Sequence, residues 1–134
     1  MDARGANAGF TTGKPWLPVA EPHIPLAAGA QEEDTDSPLN FARRLIAWRR
    51  QQPQLTRGEI VFFDAPEPVL ALRRDLAGHP GVLAVFNLGP EPVSFNLAQA
   101  AGAQPMAGHG FHGSVDGTQV ALPAYGAWFG TLAG

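Results

Sequence analysis

The chain of 134 residues contains no cysteine, and only 16% of its residues are charged. Without cysteine there can be no disulfide framework, no thiol nucleophile and no cysteine-based zinc site. The low charge argues against a disordered chain, and the 45% of apolar residues suffice for a packed core. No apolar run approaches 18 residues, so no segment is expected to span a membrane.

The balance of charge gives no reason to expect a nucleic-acid partner, because the formal net charge is −3. Five arginines nevertheless form a cluster that could contact phosphates: Arg43, Arg44, Arg49, Arg50 and Arg57. We interpret this cluster as a solvated or ion-paired helix face, since no basic sheet with interleaved aromatic residues accompanies it. Residues 1–5 lack the apolar core of a signal peptide, which favours a cytoplasmic location and leaves the periplasm as the alternative.

Length excludes a (β/α)₈ barrel, which needs about 200 residues or more. One domain with an appendage is the expected organisation. The 16 glycines and 13 prolines follow no fixed period, so they indicate many turns between short strands.

The first half of the chain divides into a proline-containing segment and one amphipathic helix. Residues 1–35 are expected to form an irregular arm, and residues 36–52 a helix. Asp36 or Ser37 can cap the helix, and Pro53 cannot continue it. Its apolar arc predicts self-association or a partner through five side chains: Leu39, Phe41, Leu45, Ile46 and Trp48.

From Gly58 onward the apolar pattern is that of short strands separated by Gly/Pro turns. The predicted strands are Glu59–Phe63, Val69–Arg73, Val82–Asn87, Val93–Asn96, Gln104–Ala107, Val115–Asp116, Gln119–Leu122 and Ala127–Leu132. Asp116-Gly117 predicts a hairpin, because favoured two-residue turns need positive φ. The prediction is a mainly β fold, a small antiparallel Greek-key β-sandwich over 58–134, with Leu83 and Phe86 in its core.

Three stretches carry a resemblance to a known family. They are Ala8–Val19 (AGFTTGKPWLPV), Val82–Leu88 (VLAVFNL) and Leu122–Phe129 (LPAYGAWF). Together with the order of loop, helix and strands, they resemble the C-terminal end of α-glucosidases of the α-amylase family, glycoside hydrolase family 13, of the oligo-1,6-glucosidase or maltase type. The resemblance implies that 36–52 is the last barrel helix and 58–134 the β-sandwich called domain C.

The resemblance also implies that the catalytic residues belong to a separate barrel domain. In the family an Asp nucleophile, a Glu acid/base and a second Asp lie on barrel strands, and none of them maps to a residue here. The chain is therefore expected to be a non-catalytic, supporting domain of an enzyme that hydrolyses α-linked glucose oligosaccharides with retention. The barrel is its expected partner, and no cofactor or metal is expected.

Weak substrate contact is the one binding role that we assign to particular residues. Phe10 and Trp16 lie in a glycine-bracketed loop, where their rings could stack on sugar or could pin the loop to a neighbouring domain. Two other sets of residues are weaker candidates for a functional site. His109 and His112 could contribute to a zinc site, and a catalytic carboxylate pair could come from Asp64 with Glu67 or from the run 32–36.

Two alternatives remain open at this point. The chain could be a stand-alone carbohydrate-binding sandwich that uses exposed aromatic rings: Trp16, Trp48, Tyr125 or Trp128. It could also be a truncated gene product with no independent activity. The exposure of the four aromatic side chains separates a sugar-binding module from a structural domain.

Overall fold

The computed structural model describes residues 6–133, which form two compact units, 6–46 and 47–133. The first unit is helical. It contains two 3₁₀ helices, Ala6–Gly9 and Glu21–Leu26, and the helix α1, Ala28–Glu33. The segment 6–35 is thus not wholly irregular, which corrects that expectation. Helix α2, Pro38–Arg50, follows, and the division between the units falls inside it.

Ser37 caps helix α2, one of the two caps that the sequence predicts. Its Oγ accepts a hydrogen bond from the Asn40 N–H at 3.3 Å and donates to the Gln31 carbonyl oxygen at 2.7 Å. The Asn40 side-chain amide donates to the carbonyl oxygens of Gln31 and Asp34 at 3.0 and 2.8 Å. The bond from the Asn40 N–H satisfies a backbone donor in the first turn of α2, and the other bonds satisfy carbonyl groups at the end of α1.

The second unit holds the end of α2, a short helix and eight strands. Helix α3 spans Pro53–Arg57, so three α-helices precede the strands where the sequence predicts one. The strands are β1 Glu59–Phe63, β2 Val69–Asp75, β3 Val82–Asn87, β4 Val93–Asn96, β5 Gln104–Pro105, β6 Ser114–Asp116, β7 Gln119–Leu122 and β8 Ala127–Thr131.

The strands form two antiparallel sheets. The large sheet has the order β1-β2-β3-β8-β5, and the small sheet has the order β4-β7-β6. The pairing of β3 with β8, far apart in the chain, shows that long connections cross between the sheets, as in Greek-key folds. This arrangement confirms the predicted mainly β sandwich.

The core lies between the two sheets. The large sheet contributes Leu83, Val85 and Trp128, and the small sheet contributes Val120 and Leu122, all at most 4% exposed. Because successive side chains of a strand point to opposite faces, Phe86 falls on the outer face of the large sheet, where it is half-buried. Leu83 is thus confirmed as a core residue, whereas the placement of Phe86 in this core is wrong.

The predicted hairpin is present, with its turn displaced by one residue. Asp116 pairs with Gln119, which leaves Gly117 and Thr118 as the two turn residues. Gly117 has φ +61°, whereas Thr118 keeps a negative φ. Only one central position therefore needs the left-handed conformation, and glycine occupies it at little steric cost.

Candidate docking surface

Aromatic side chains cover one half of the outer face of the large sheet. Phe129 on β8 is the centre of this aromatic cluster, which also contains Phe86, Trp48, His109 and Phe111. Ring centroids lie 5.0 Å from Phe129 for both Trp48 and His109, and 5.5 Å for Phe86 in an edge-to-face arrangement. Such tilted and edge-on contacts are favourable for aromatic pairs.

Trp48 ties the end of helix α2 to the sheet. Its indole Nε1–H donates to the Ala107 carbonyl oxygen at 2.9 Å, and its side chain is 8% exposed. A Cβ on Gly108, which has φ +93°, would lie 3.2 Å from the Trp48 Cδ1. Glycine at this position therefore suits both the backbone conformation and the close approach of the indole ring.

His109 has a structural role in this cluster. Its Nε2 lies 2.7 Å from the Met106 carbonyl oxygen, and its Nδ1 accepts a hydrogen bond from the Phe111 N–H at 3.0 Å. These partners fix the neutral tautomer with the proton on Nε2 and occupy both ring nitrogens. His112 is exposed, and within residues 6–133 no three His, Asp or Glu side chains gather as metal ligands would.

The other half of the outer face carries exposed apolar side chains, with Arg74 beside Ile60. Registers across the sheet place Phe62 beside Leu72, and Leu70 beside Phe86. Ile60, Phe62 and Leu70 are 48%, 60% and 37% exposed, and we call these three side chains the outer strip. Large apolar side chains grouped on one surface are typical of a contact with another protein surface.

The sequence alone did not predict the outer strip. Strand β1 reads Glu-Ile-Val-Phe-Phe, and its unbroken apolar run has no alternation that would tell a solvent face from a buried one. The apolar sequence of β1 instead points to burial of both faces of the strand. A strand that is apolar on both faces is expected to have both faces covered.

The predicted sugar-contacting residues lie in the first unit and are open to solvent. Trp16 is 96% exposed and Phe10 76%. Phe10 also lines a pocket of about 450 Å³ together with Pro18, His23 and Leu26. The described positions leave both rings accessible to a ligand, and their substrate contact stays a prediction.

The arc of apolar residues on α2 differs in part from the expectation. Leu39, Phe41 and Leu45 are half-buried, and Ile46 is 51% exposed. Trp48 is buried within the aromatic cluster, so its inclusion in an exposed association surface is wrong. Self-association through the remaining four residues stays a prediction.

The candidate carboxylates and arginines occupy ordinary surface positions. Asp64 and Glu67 are exposed in the connection between β1 and β2, and all five residues of the run 32–36 are exposed. Arg43 pairs with Glu32 at 3.0 Å, and the Arg44 Nη1 donates to the Thr35 carbonyl oxygen at 2.7 Å. These contacts support the interpretation of a solvated or ion-paired helix face.

Among the helices that the structure describes, none combines the length and the hydropathy needed to cross a bilayer.

Comparison with known proteins gives relatives that are much longer than this chain. A probable α-glucosidase of Rhizobium meliloti is 37% identical over 127 residues, which is 95% of this chain and 23% of the relative. A probable oligo-1,6-glucosidase 2 of Bacillus subtilis is 31% identical over 100 residues, 73% of this chain and 18% of that protein. No protein-family model matches the chain.

A solved structure supports the same assignment. The α-glucosyl transfer enzyme XgtA superposes with a TM-score of 0.85 at 36% identity, over 93% of this chain and 23% of XgtA. The chain is homologous to the C-terminal region of α-amylase family glycoside hydrolases. It spans about a fifth of the length of these family members, and the sandwich of β1–β8 corresponds to their domain C type of fold.

Proposed function

We propose that the chain is a non-catalytic domain that supports the catalytic barrel of an α-glucosidase-type enzyme. The parent enzyme would hydrolyse α-linked glucose oligosaccharides with retention. The observation that carries this proposal is the match of almost the whole chain to about a fifth of much longer glucosidases, at a TM-score of 0.85 for XgtA. Supporting it, every residue considered for a catalytic carboxylate pair is exposed, on the end of helix α1, at a turn or in a loop.

The outer strip is the surface by which the domain would dock. It continues the buried part of the same sheet face, where Leu72 and Ala84 are 9% and 1% exposed. Covering Ile60, Phe62 and Leu70 would remove apolar area from water, which would stabilise the docked state by about 25 cal/mol for each Å² buried.

A chimera tests this docking role. The matching stretch of the Rhizobium α-glucosidase would be replaced by this chain, and thermal inactivation of glucosidase activity would be followed. We expect Phe62→Lys to destabilise the docked state by about 3–5 kcal/mol, because an ammonium group would be buried without a partner. The chimera would then lose activity at a lower temperature than its unmutated form.

Gln104→Lys is the matched control, since it adds the same charge at an exposed site on the opposite edge strand of the sheet. Its inactivation temperature should equal that of the unmutated chimera. Equal inactivation of the Phe62→Lys and Gln104→Lys chimeras would show that the outer strip does not dock.

A second candidate function is sugar contact by Trp16 and Phe10, which their high exposure favours. The stand-alone sugar-binding sandwich is less well supported, because Trp48 and Trp128 are 8% and 4% exposed and are unavailable for stacking. Aromatic side chains bind sugars through an open ring face, and among the four candidates only Trp16 and Tyr125 offer one.

We expect the purified chain to show no turnover of p-nitrophenyl α-glucoside. If Trp16 stacks on sugar, titration with maltose-type oligosaccharides should shift the Trp16 indole resonance in NMR spectra. Trp16→Ala should abolish that binding and change the free energy of unfolding by less than about 0.5 kcal/mol, as is usual at exposed positions. Unchanged binding in Trp16→Ala would contradict this role. Tyr125→Ala is the matched control, and it should leave oligosaccharide binding unchanged.

A further inference from the structure

The free edge of strand β1 is the feature that carries a further inference. β1 is the terminal strand of the large sheet, and in the described part of the chain no strand pairs with its other edge. Backbone N–H and C=O groups along such an edge are ready to pair with another strand.

The two edges of the large sheet are protected to different degrees. The opposite edge, β5, has only two residues, and one of them is Pro105, which has no N–H to donate. Strand β1 has five residues without proline, and Glu59 at its start is its one charged residue. A long apolar edge without such protection is usually covered in the functional state.

Both faces of β1 are also open to an incoming strand. Ile60 and Phe62 point to the outer face, and Val61 points to the inner face, yet Val61 is 49% exposed. The three strands of the small sheet cover only part of the five-stranded sheet, so Val61 lies at the uncovered margin of the core. A strand added at this edge would bury apolar side chains on both faces at once.

We propose that β1 pairs with β1 of a second copy of this chain, antiparallel and with Val61 opposite Val61. In this register Ile60 of each copy lies opposite Phe62 of the other on the outer face. Cross-strand pairs of an aromatic and a β-branched residue are favourable. The pairing makes one continuous ten-stranded sheet about a two-fold axis, which is an isologous contact.

Charge favours the antiparallel orientation. Parallel pairing in register would place Glu59 of each copy beside Glu59 of the other, and like charges directly opposite each other are destabilising. Antiparallel pairing about Val61 instead places Glu59 of each copy opposite Phe63 of the other, so the two carboxylates lie at opposite ends of the paired strands.

The pairing shares Ile60 and Phe62 with the outer strip, but it is made through the backbone edge of β1, whereas docking is made through the outer face of the sheet, so different measurements test the two proposals. Monomeric behaviour would thus overturn the pairing and leave the docking proposal intact. Loss of docking in the chimera would likewise leave the pairing in place.

Single-cysteine cross-linking of the full chain tests the register, since the chain has no cysteine of its own. At the two-fold axis the two Cα atoms of residue 61 would lie about 4.5–5.5 Å apart, which suits a disulfide. Under copper-phenanthroline oxidation we expect Val61→Cys to form covalent dimers at least tenfold faster than Glu59→Cys. Residue 59 lies on the same edge, but its two copies would be about 13 Å apart. Equal rates for the two variants would overturn the proposal.

Sedimentation equilibrium of cysteine-free protein gives a second, independent measurement. We expect a concentration-dependent dimer for the natural chain and for Gln104→Lys, and a monomer for Val61→Lys, which places two ammonium groups at the axis. A monomeric natural chain at the highest soluble concentration would overturn the pairing. A dimer that persists in Val61→Lys and is lost in Ile46→Lys would overturn it as well, because the contact would then lie on α2.

Discussion

Replacement of Leu83 by alanine is expected to unfold most of the protein under mild conditions. Leu83 is fully buried on β3, the central strand of the large sheet, and register places it between Arg73 on β2 and Gly130 on β8. Leucine-to-alanine changes in such sites cost about 2–5 kcal/mol, because transfer free energy is lost and a cavity remains. That loss is a large part of the 5–15 kcal/mol that typically holds a domain together.

The measurement is urea unfolding followed by near-ultraviolet circular dichroism, which reports the packing of Trp128 and its neighbours in the core. We expect the midpoint to move to much lower urea at a nearly unchanged slope. Leu88→Ala is the matched control, because Leu88 follows the same strand and is 62% exposed. A Leu83→Ala midpoint that equals the control would mean that the intersheet core is wrongly assigned.

The second large effect is expected for Trp48→Ala. The indole packs against Phe129 and His109 and donates its hydrogen bond to the Ala107 carbonyl oxygen. Truncation of a buried tryptophan costs about 3–5 kcal/mol. The loss of stability should be concentrated at the outer face of the large sheet, because Trp48 is the α2 residue that contacts the aromatic cluster.

Trp48→Phe separates packing from hydrogen bonding at this site. It keeps an aromatic ring against Phe129 and leaves the Ala107 oxygen without its donor, so its cost should be nearer to the 1–3 kcal/mol of an unsatisfied buried group. Hydrogen exchange should locate the effect, with Trp48→Ala raising exchange in β8 and in residues 106–111. Equal stability of Trp48→Ala and the natural chain would contradict the packing of Trp48 in the aromatic cluster.

Much of the fold could be predicted from the sequence because its signals are local. Strands β3 and β4 begin after glycine or proline and end at asparagine, β1 begins after Gly58, and β7 ends before Pro123. The end of α2 just before Pro53 follows from the steric exclusion of proline from a helix interior. Gly117 marks the β6–β7 hairpin through its positive φ. Each of these depends on a few neighbouring residues.

Only the tertiary structure decided which side chains meet. The Trp48 indole finds its acceptor 59 residues away at Ala107, and no local pattern encodes that contact. The same holds for Phe86, which local hydrophobicity could not assign to the core or to the outer face. The role of His109 depends on Met106 and Phe111 meeting its two nitrogens, which follows from the path of the 106–113 loop.

The sequence by itself determined the class of fold, the kinship with α-amylase family enzymes and the limits of most strands. Periodicity, turn residues and the stretches at 8–19, 82–88 and 122–129 are properties of the chain alone. The tertiary structure decided which aromatic rings are exposed, that the outer strip is uncovered and that β1 is an unprotected edge. Burial and edge position depend on which strands pair and which sheet covers which, and those are set by contacts between distant parts of the chain.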